Sequence, residues 1–321
     1  MRIGIDLGGT NISVGLVDES GKIIEKLRCK TYSNRGSGPI IEDMINQVKT
    51  LINRNNLTLK DLSIIGIGVP GLVDYSIGRV EECVNLHWKN IYLREEILKH
   101  IIKETTIKLE PKILIENDAN AAAVGEYLFG SMKGNKNSLL MTLGTGIGGG
   151  LILNGQLFRG RGAALEIGHM TIGRSFYNCS CGNNGCFETF ASATAIAKYA
   201  QKLIIDGKES KMMEYVNGDI SKIDTKTVFR YVEQEDEVAE LAIKRFLEYM
   251  AIGMNNIINI LDLDLIAIGG GVAEGIEIIK SKLIEEVKKR KLYKNIELCK
   301  IERAVLGNDA GIIGAAMLDK I

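Results

Sequence analysis

Two stretches of this chain repeat one pattern. DLGGTNISVGLV from Asp6 and LGTGIGGGLIL from Leu143 each read as an apolar strand, a Gly-Thr turn and a second apolar strand. Self-similarity on this scale marks recurring structural units and narrows the fold more than composition does. The expected class is α/β, with two similar domains whose glycine turns face one another across a substrate cleft. Ile40–Arg54 carries Ile41, Met44, Ile45, Val48, Leu51 and Ile52 at helical spacing, and Ser63–Val69 is an apolar run of the kind buried on both faces. Ile91–Lys103 reads as a helix, Lys112–Glu116 as a strand and Ala119–Phe129 as an alanine-rich helix. Beyond Glu235 the pattern gives a long helix to Leu261, strand Leu265–Ile268, helix Ile276–Arg290, strand Ile296–Ile301 and helix Ala310–Leu318. The boundary is expected near Asn117. A small α/β domain of residues 1–117, joined by a C-terminal helix at 308–321, then precedes a larger one of residues 118–307. At 321 residues, both can hold a sizeable core.

The two turns are candidate phosphate cradles. In Gly8-Gly9-Thr10 and Gly144-Thr145-Gly146 the missing β-carbons let backbone N–H groups approach an anion, and each threonine adds a hydroxyl donor. Gly144, Gly146 and Gly149, like Gly66, Gly68 and Gly71, fit G-x-G-x-x-G, but a dinucleotide fingerprint needs a helix directly after the turn, and here apolar strand or LVD follows. A G-x4-G-K-[ST] phosphate loop does not occur. A third run, with Gly270 and Gly271, lies between a strand and a helix, so it reads either as a nucleotide contact at a helix N-terminus or as close helix–strand packing.

Glu116-Asn117-Asp118-Ala119-Asn120 joins a strand to a helix. A carboxylate at that junction is aimed rigidly and lies at the positive end of the helix dipole. Asp118 can therefore act as general base toward an alcohol in phosphoryl transfer, or serve only as the helix N-cap.

His169, Cys179, Cys181 and Cys186 fall within eighteen positions as H-x9-C-x-C-x4-C. One imidazole and three thiolates make a full tetrahedral set for a structural Zn²⁺, with Gly182 and Gly185 permitting a tight knuckle. A disulfide or plain buried thiols are the alternatives. The flanking Glu166 and Glu188 are not needed as ligands, which leaves them for a polar binding surface. Cys29, Cys83 and Cys299 are scattered among apolar neighbours and read as reduced core thiols.

Forty basic and forty acidic residues give zero formal charge, so nothing favours nucleic acid or a membrane surface. The most apolar stretch, Ser138–Leu153, is shorter than a membrane span and is broken by five glycines. MRIGIDLGGT has a strand-and-turn pattern and not that of a targeting segment, so a soluble cytoplasmic protein is expected.

Taken in order, DLGGTN, GIGVPGLVD, ENDANAAAVGE, LGTGIGGG, EIGH and CSCGNNGCFE resemble the ROK (repressor, open reading frame, kinase) family, over essentially the whole chain. More narrowly, the chain is similar to the bacterial glucokinases of that family. The resemblance implies a two-domain actin-like, ribonuclease-H-like ATPase fold. It implies Asp118 as the base on the sugar 6-hydroxyl. Gly71, Asn85, Asn117, Glu166, His169 and Glu188 would hold the hexose, with the second ring nitrogen of His169 on zinc. Gly8, Gly9, Thr10, Gly144, Thr145 and Gly146 would hold ATP phosphates, Asp6 would hold Mg²⁺ through water, and Gly270 and Gly271 would lie on the adenosine side. ATP, Mg²⁺ and Zn²⁺ are thus the expected cofactors, and a homodimer or higher homo-oligomer the expected assembly. A kinase for N-acetylmannosamine, N-acetylglucosamine or another hexose would share these motifs. A sugar-responsive repressor of the family would need an added helix-turn-helix.

Overall fold

The computed structural model describes residues 1–102 and 111–321. It divides into two compact units, one formed by residues 1–140, 150–165 and 305–321, the other by residues 141–149 and 166–304.

In the first unit the opening repeat forms the antiparallel pair β1 (Arg2–Leu7) and β2 (Asn11–Val17), and β3 (Ile23–Lys30) pairs antiparallel with β2. Helix α1 (Ser37–Arg54) turns Ile40, Ile41, Met44, Ile45, Val48, Leu51 and Ile52 into the same core. The i, i+4 spacing of these side chains dictates that face. Strand β4 (Ile64–Val69) lies parallel to β1. A small antiparallel sheet follows, made of β5 (Leu72–Asp74), β6 (Arg79–Cys83) and β7 (Trp88–Ile91). Then come α2 (Leu93–Ile102), β8 (Lys112–Asn117) parallel to β4, and α3 (Asp118–Phe129). The order β3-β2-β1-β4-β8 puts the carboxyl ends of three parallel strands side by side, with Asp6 opposite Gly68 and Gly68 opposite Glu116. Ligands of open α/β sheets gather at that edge.

The second repeat forms β9 (Ser138–Leu143) and β10 (Ile147–Leu153), followed by the short β11 (Gln156–Leu157). The second unit continues through α4 (Glu188–Ala191), α5 (Ala193–Ile205), α6 (Met212–Tyr215), α7 (Thr225–Val232), α8 (Glu237–Leu261), β12 (Leu265–Gly269), α9 (Ala273–Arg290) and β13 (Lys300–Arg303). The second sheet runs β11-β10-β9-β12-β13. The chain ends in α10 (Ala310–Ala316), back in the first unit.

Helix α10 lies on the first sheet at contact distance. A β-carbon at Gly66 would fall 1.7 Å from the Ala315 carbonyl oxygen, and one at Gly4 would fall 1.9 Å from that of Ile312. Gly66→Ala should therefore lower stability by about 3 kcal/mol, the upper end of overpacking costs. Urea titration checks this, and a loss below about 1 kcal/mol would mean that α10 shifts freely.

Several expectations are corrected. Helix α3 packs on α10 through Gly125, where a β-carbon would lie 2.5 Å from the Ala310 carbonyl oxygen, so α3 belongs to the first unit and the division does not fall at Asn117. The strand expected at Ile296–Ile301 is Lys300–Arg303, because only these residues pair with β12, while Ile296 is 57% exposed. The helix expected at Ile91–Lys103 is α2, and Lys103 lies outside the described residues. The sheet β5–β7 was not anticipated, since its strands span only three to five residues.

Candidate active site

At the carboxyl edge of the first sheet, Gly8 N–H donates to the Asn11 carbonyl at 2.9 Å, closing the Gly8–Thr10 turn. Thr31 fastens the turn from below. Its N–H donates to the Thr10 carbonyl at 3.0 Å, and its hydroxyl to that of Gly8 at 2.6 Å. A β-carbon at Gly9 would lie 3.3 Å from the Asn85 β-carbon, so the two are brought together from distant parts of the sequence.

The strand–helix junction settles the role of Asp118 as a cap. Asn117 is the N-cap residue of α3, in extended conformation, and its Oδ1 accepts from Ala119 N–H at 2.9 Å and Asn120 N–H at 3.1 Å. Its Nδ2 donates to the Gly71 carbonyl at 3.1 Å. Asn117 thus satisfies the orphan amides of the first turn. One N–H of its side chain is left to meet a ligand. Asp118 is the first residue of the helix and also accepts from Ala119 N–H, at 2.8 Å. Gly71 is in the left-handed region at φ 95°, and a β-carbon there would lie 2.3 Å from the Glu82 carbonyl oxygen, so this turn accepts only glycine.

Asp6, at the end of β1, is pushed up to about 6, chiefly by burial and further by the neighbouring Asp118 carboxylate, with Arg28 acting the other way. A pair of carboxylates that repel one another at the carboxyl edge of the sheet is a donor set that suits a divalent cation.

In the second unit the Leu143–Ile147 turn carries Gly144, Thr145 and Gly146. A β-carbon at Gly146 would fall 2.4 Å from Glu188 Oε2, so this carboxylate lies directly on the turn. The other oxygen of Glu188 accepts from the Cys179 thiol at 2.9 Å. Gly270, at φ 84°, backs the same turn, since a β-carbon there would lie 2.4 Å from the Leu143 carbonyl oxygen. Close packing accounts for Gly270. Gly271 is exposed, with open space where a side chain would be.

The side-chain donors of His169, Cys179, Cys181 and Cys186 all lie within 4.8 Å of one another. His169 Nδ1 is 3.6 Å from Cys179 Sγ, and Cys181 Sγ is 3.6 Å from Cys186 Sγ. Four ligands on a tetrahedral zinc with Zn–S bonds of about 2.3 Å sit roughly 3.8 Å apart, so the set fits that ion. The Asn183 amide holds the Cys181 thiol down at about 7, whereas burial pushes Cys179 up to about 12. With Nδ1 among the sulfurs, His169 directs Nε2 toward Glu166 Oε2, 3.9 Å away.

The residues expected from sequence thus gather in two groups. Asp6, Gly8, Gly9, Thr10, Gly71, Asn85, Asn117 and Asp118 belong to the first unit. Gly144, Thr145, Gly146, Glu166, His169, Cys179, Cys181, Cys186, Glu188, Gly270 and Gly271 belong to the second. Sequence reasoning assigned no role to Glu116 or Arg159, which form an ion pair directly behind Asn117 and Asp118.

The model of the ROK family matches residues 2–320. The chain belongs to the ROK family. Among its ROK relatives is a protein of Halalkalibacterium halodurans named glucokinase, 33% identical over 99% of this chain and 94% of the relative. Another, of Thermotoga maritima and also named glucokinase, is 34% identical over 99% of this chain and 96% of the relative. Among solved structures, a ROK family glucokinase from Streptomyces griseus, in complex with glucose and AMPPNP, superposes with a TM-score of 0.82 at 29% identity, covering 99% of this chain and 98% of that one. This ROK protein accordingly has the family's two-domain actin-like ATPase fold.

Proposed function

We propose that this ROK family protein is a glucokinase, an enzyme that transfers the γ-phosphoryl group of ATP to the 6-hydroxyl of glucose, giving glucose 6-phosphate and ADP. The observation that carries this is the near full-length similarity to glucokinases, one of them bound to glucose and an ATP analogue. Asp118 is the general base. Its place at the start of α3, with capping supplied by Asn117, supports this, since the first-turn amides favour negative charge there. It takes the proton of the 6-hydroxyl as the oxygen attacks phosphorus. Gly8, Gly9 and Thr10, together with Gly144, Thr145 and Gly146, offer amide and hydroxyl donors to the phosphates, and Gly270 and Gly271 lie on the adenosine side. Mg²⁺ arriving with ATP would supply neutralising charge at the phosphates, and Asp6 would hold it through water.

Gly71, Asn85, Asn117, Glu166, His169 and Glu188 are assigned to the sugar hydroxyls. Structural Zn²⁺ on His169, Cys179, Cys181 and Cys186 would fix the His169 ring and leave Nε2 for the sugar. Zinc held there would also take the place of the Cys179 thiol proton, leaving Glu188 Oε1 available to a sugar hydroxyl. A cytoplasmic location goes with ATP as donor, and the homodimer or higher homo-oligomer expected from the resemblance can be measured by light scattering.

The test is kcat/KM with ATP for glucose, mannose, fructose, N-acetylglucosamine and N-acetylmannosamine. Glucose should lead; an N-acetylhexosamine ahead of glucose would overturn the substrate assignment.

Asp6 gives the pH dependence. Its carboxyl must be ionised to hold Mg²⁺, and in the free enzyme it titrates at about 6. Below that pH, kcat/KM for ATP should fall about tenfold per unit. The stability effect has the opposite sign. An acid whose folded-state pKa is raised carries the full cost of ionisation above about 6, and the folded state regains stability as pH falls toward 3.8. Asp6→Asn should therefore be inactive yet more stable at pH 7, by up to about 3 kcal/mol. A flat kcat/KM between pH 5 and 7, or a destabilised Asp6→Asn, would contradict this.

A further inference from the structure

The buried network behind the strand–helix junction contains a buried ion pair that the proposed chemistry does not use. Glu116, the penultimate residue of β8, is only 4% exposed. Its Oε1 accepts from the N–H of Asn117 at 2.9 Å and from Nδ2 of the buried Asn120 at 3.0 Å. These two residues bracket Asp118. Its Oε2 accepts from Arg159 Nε at 2.6 Å. Arg159 lies in the segment after β11, and its guanidinium sits 4.9 Å from the centre of the Tyr75 ring. Its carbonyl accepts from Gly162 N–H at 2.9 Å, and a β-carbon at Gly162 would lie 3.0 Å from the Val73 carbonyl oxygen, so the segment rests on β5. Arg94 anchors the other side, donating to the Tyr75 carbonyl at 2.9 Å and to that of Ile113 in β8 at 3.0 Å.

A carboxylate removed from water needs a cation and a full set of donors, and truncating one partner of such a pair leaves the other charge buried and uncompensated. Arg159 supplies both the charge and the third donor. It also ties Glu116 to a second element, so the oxygen that receives Asn117 N–H and Asn120 Nδ2 cannot swing. We propose that Arg159 is a positioning residue for the transfer reaction. Through Glu116 it fixes the first turn of α3, and with it the aim of Asp118, while touching neither sugar nor ATP. The inference rests on Asp118 being the base.

The test compares Arg159→Met, Arg159→Lys and Glu116→Gln in the wild-type and Asp118→Asn backgrounds. Misplacing a reacting group by about 1 Å costs on the order of 100-fold, so Arg159→Met should lower kcat by about 10–100-fold. The KM for glucose should move less than about threefold, and kcat is taken per folded active site, because a loss of folded enzyme would also lower apparent kcat at unchanged KM. Arg159→Lys, which retains the charge, should recover most of kcat. In the Asp118→Asn background Arg159→Met should cost nothing more, since both act through one group. If Arg159→Met does not fold, Glu116→Gln carries the same comparison, with the same expected loss and the same absence of further loss beside Asp118→Asn. Wild-type kcat in folded Arg159→Met, or an equal loss in both backgrounds, overturns the proposal. Wild-type turnover in Asp118→Asn overturns the base assignment itself and is read independently of Arg159.

Discussion

Asp118→Asn should fold like the wild type, bind glucose with little change and lose about 10²–10⁴-fold in kcat. The size follows from what the substitution removes. An amide fills the same space and can still accept from Ala119 N–H, the contact that Asp118 makes at 2.8 Å. The capping of α3 belongs to Asn117, so helix stability should hardly move. What is lost is the capacity to take a proton, together with the negative charge that helps to raise Asp6. Loss of a helix cap would instead appear as about 1 kcal/mol of stability, with turnover spared. Steady-state kinetics beside urea unfolding separate the two. Turnover near the wild-type value in a folded Asp118→Asn enzyme would eliminate the general-base role.

Cys181→Ser should release the metal and raise the KM for glucose by about 10–100-fold, because weakened metal support is felt by the groups it orients. Cys181 is the exposed one of the three cysteines, its Sγ 3.6 Å from Cys186 Sγ, and its removal leaves three donors where a closed zinc site needs four. His169 then loses its fixed ring plane, and Glu188 stays engaged with the Cys179 thiol. Metal analysis should find one zinc per wild-type chain and a marked shortfall in the variant. A wild-type chain purified without chelator and found free of zinc would contradict the metal assignment. So would a zinc-replete Cys181→Ser enzyme with an unaltered KM.

Much of the candidate site's local geometry was legible because it is set by residues close in sequence. Glycine turns, a strand–helix junction rich in Asn and Asp, and closely spaced cysteines each advertise a backbone geometry within about ten residues. What stayed hidden depends on contacts made across the chain. Helix α3 is built largely of alanine, valine and glycine and has no strong apolar stripe, so nothing local told that its partner is α10. Its assignment to the second domain failed for that reason. Asn117 was given as a sugar ligand by resemblance, but its bonds to Ala119, Asn120 and Gly71, which fix its side chain, were not legible. The third glycine run divided in two: Gly270 packs against the Leu143 carbonyl and Gly271 lies open. Arg159 and Glu116 stand 43 positions apart, and neither carries a mark of the other in its neighbours.

The central claim, transfer from ATP to the 6-hydroxyl of glucose, is tested most directly by identifying the product. Glucose and ATP incubated with the enzyme and Mg²⁺ should give glucose 6-phosphate and ADP in equal amounts by phosphorus and proton NMR, while 6-deoxyglucose should bind and remain unphosphorylated. A phosphate found at another hydroxyl of glucose, or ATP consumed with no glucose 6-phosphate formed, would contradict the account.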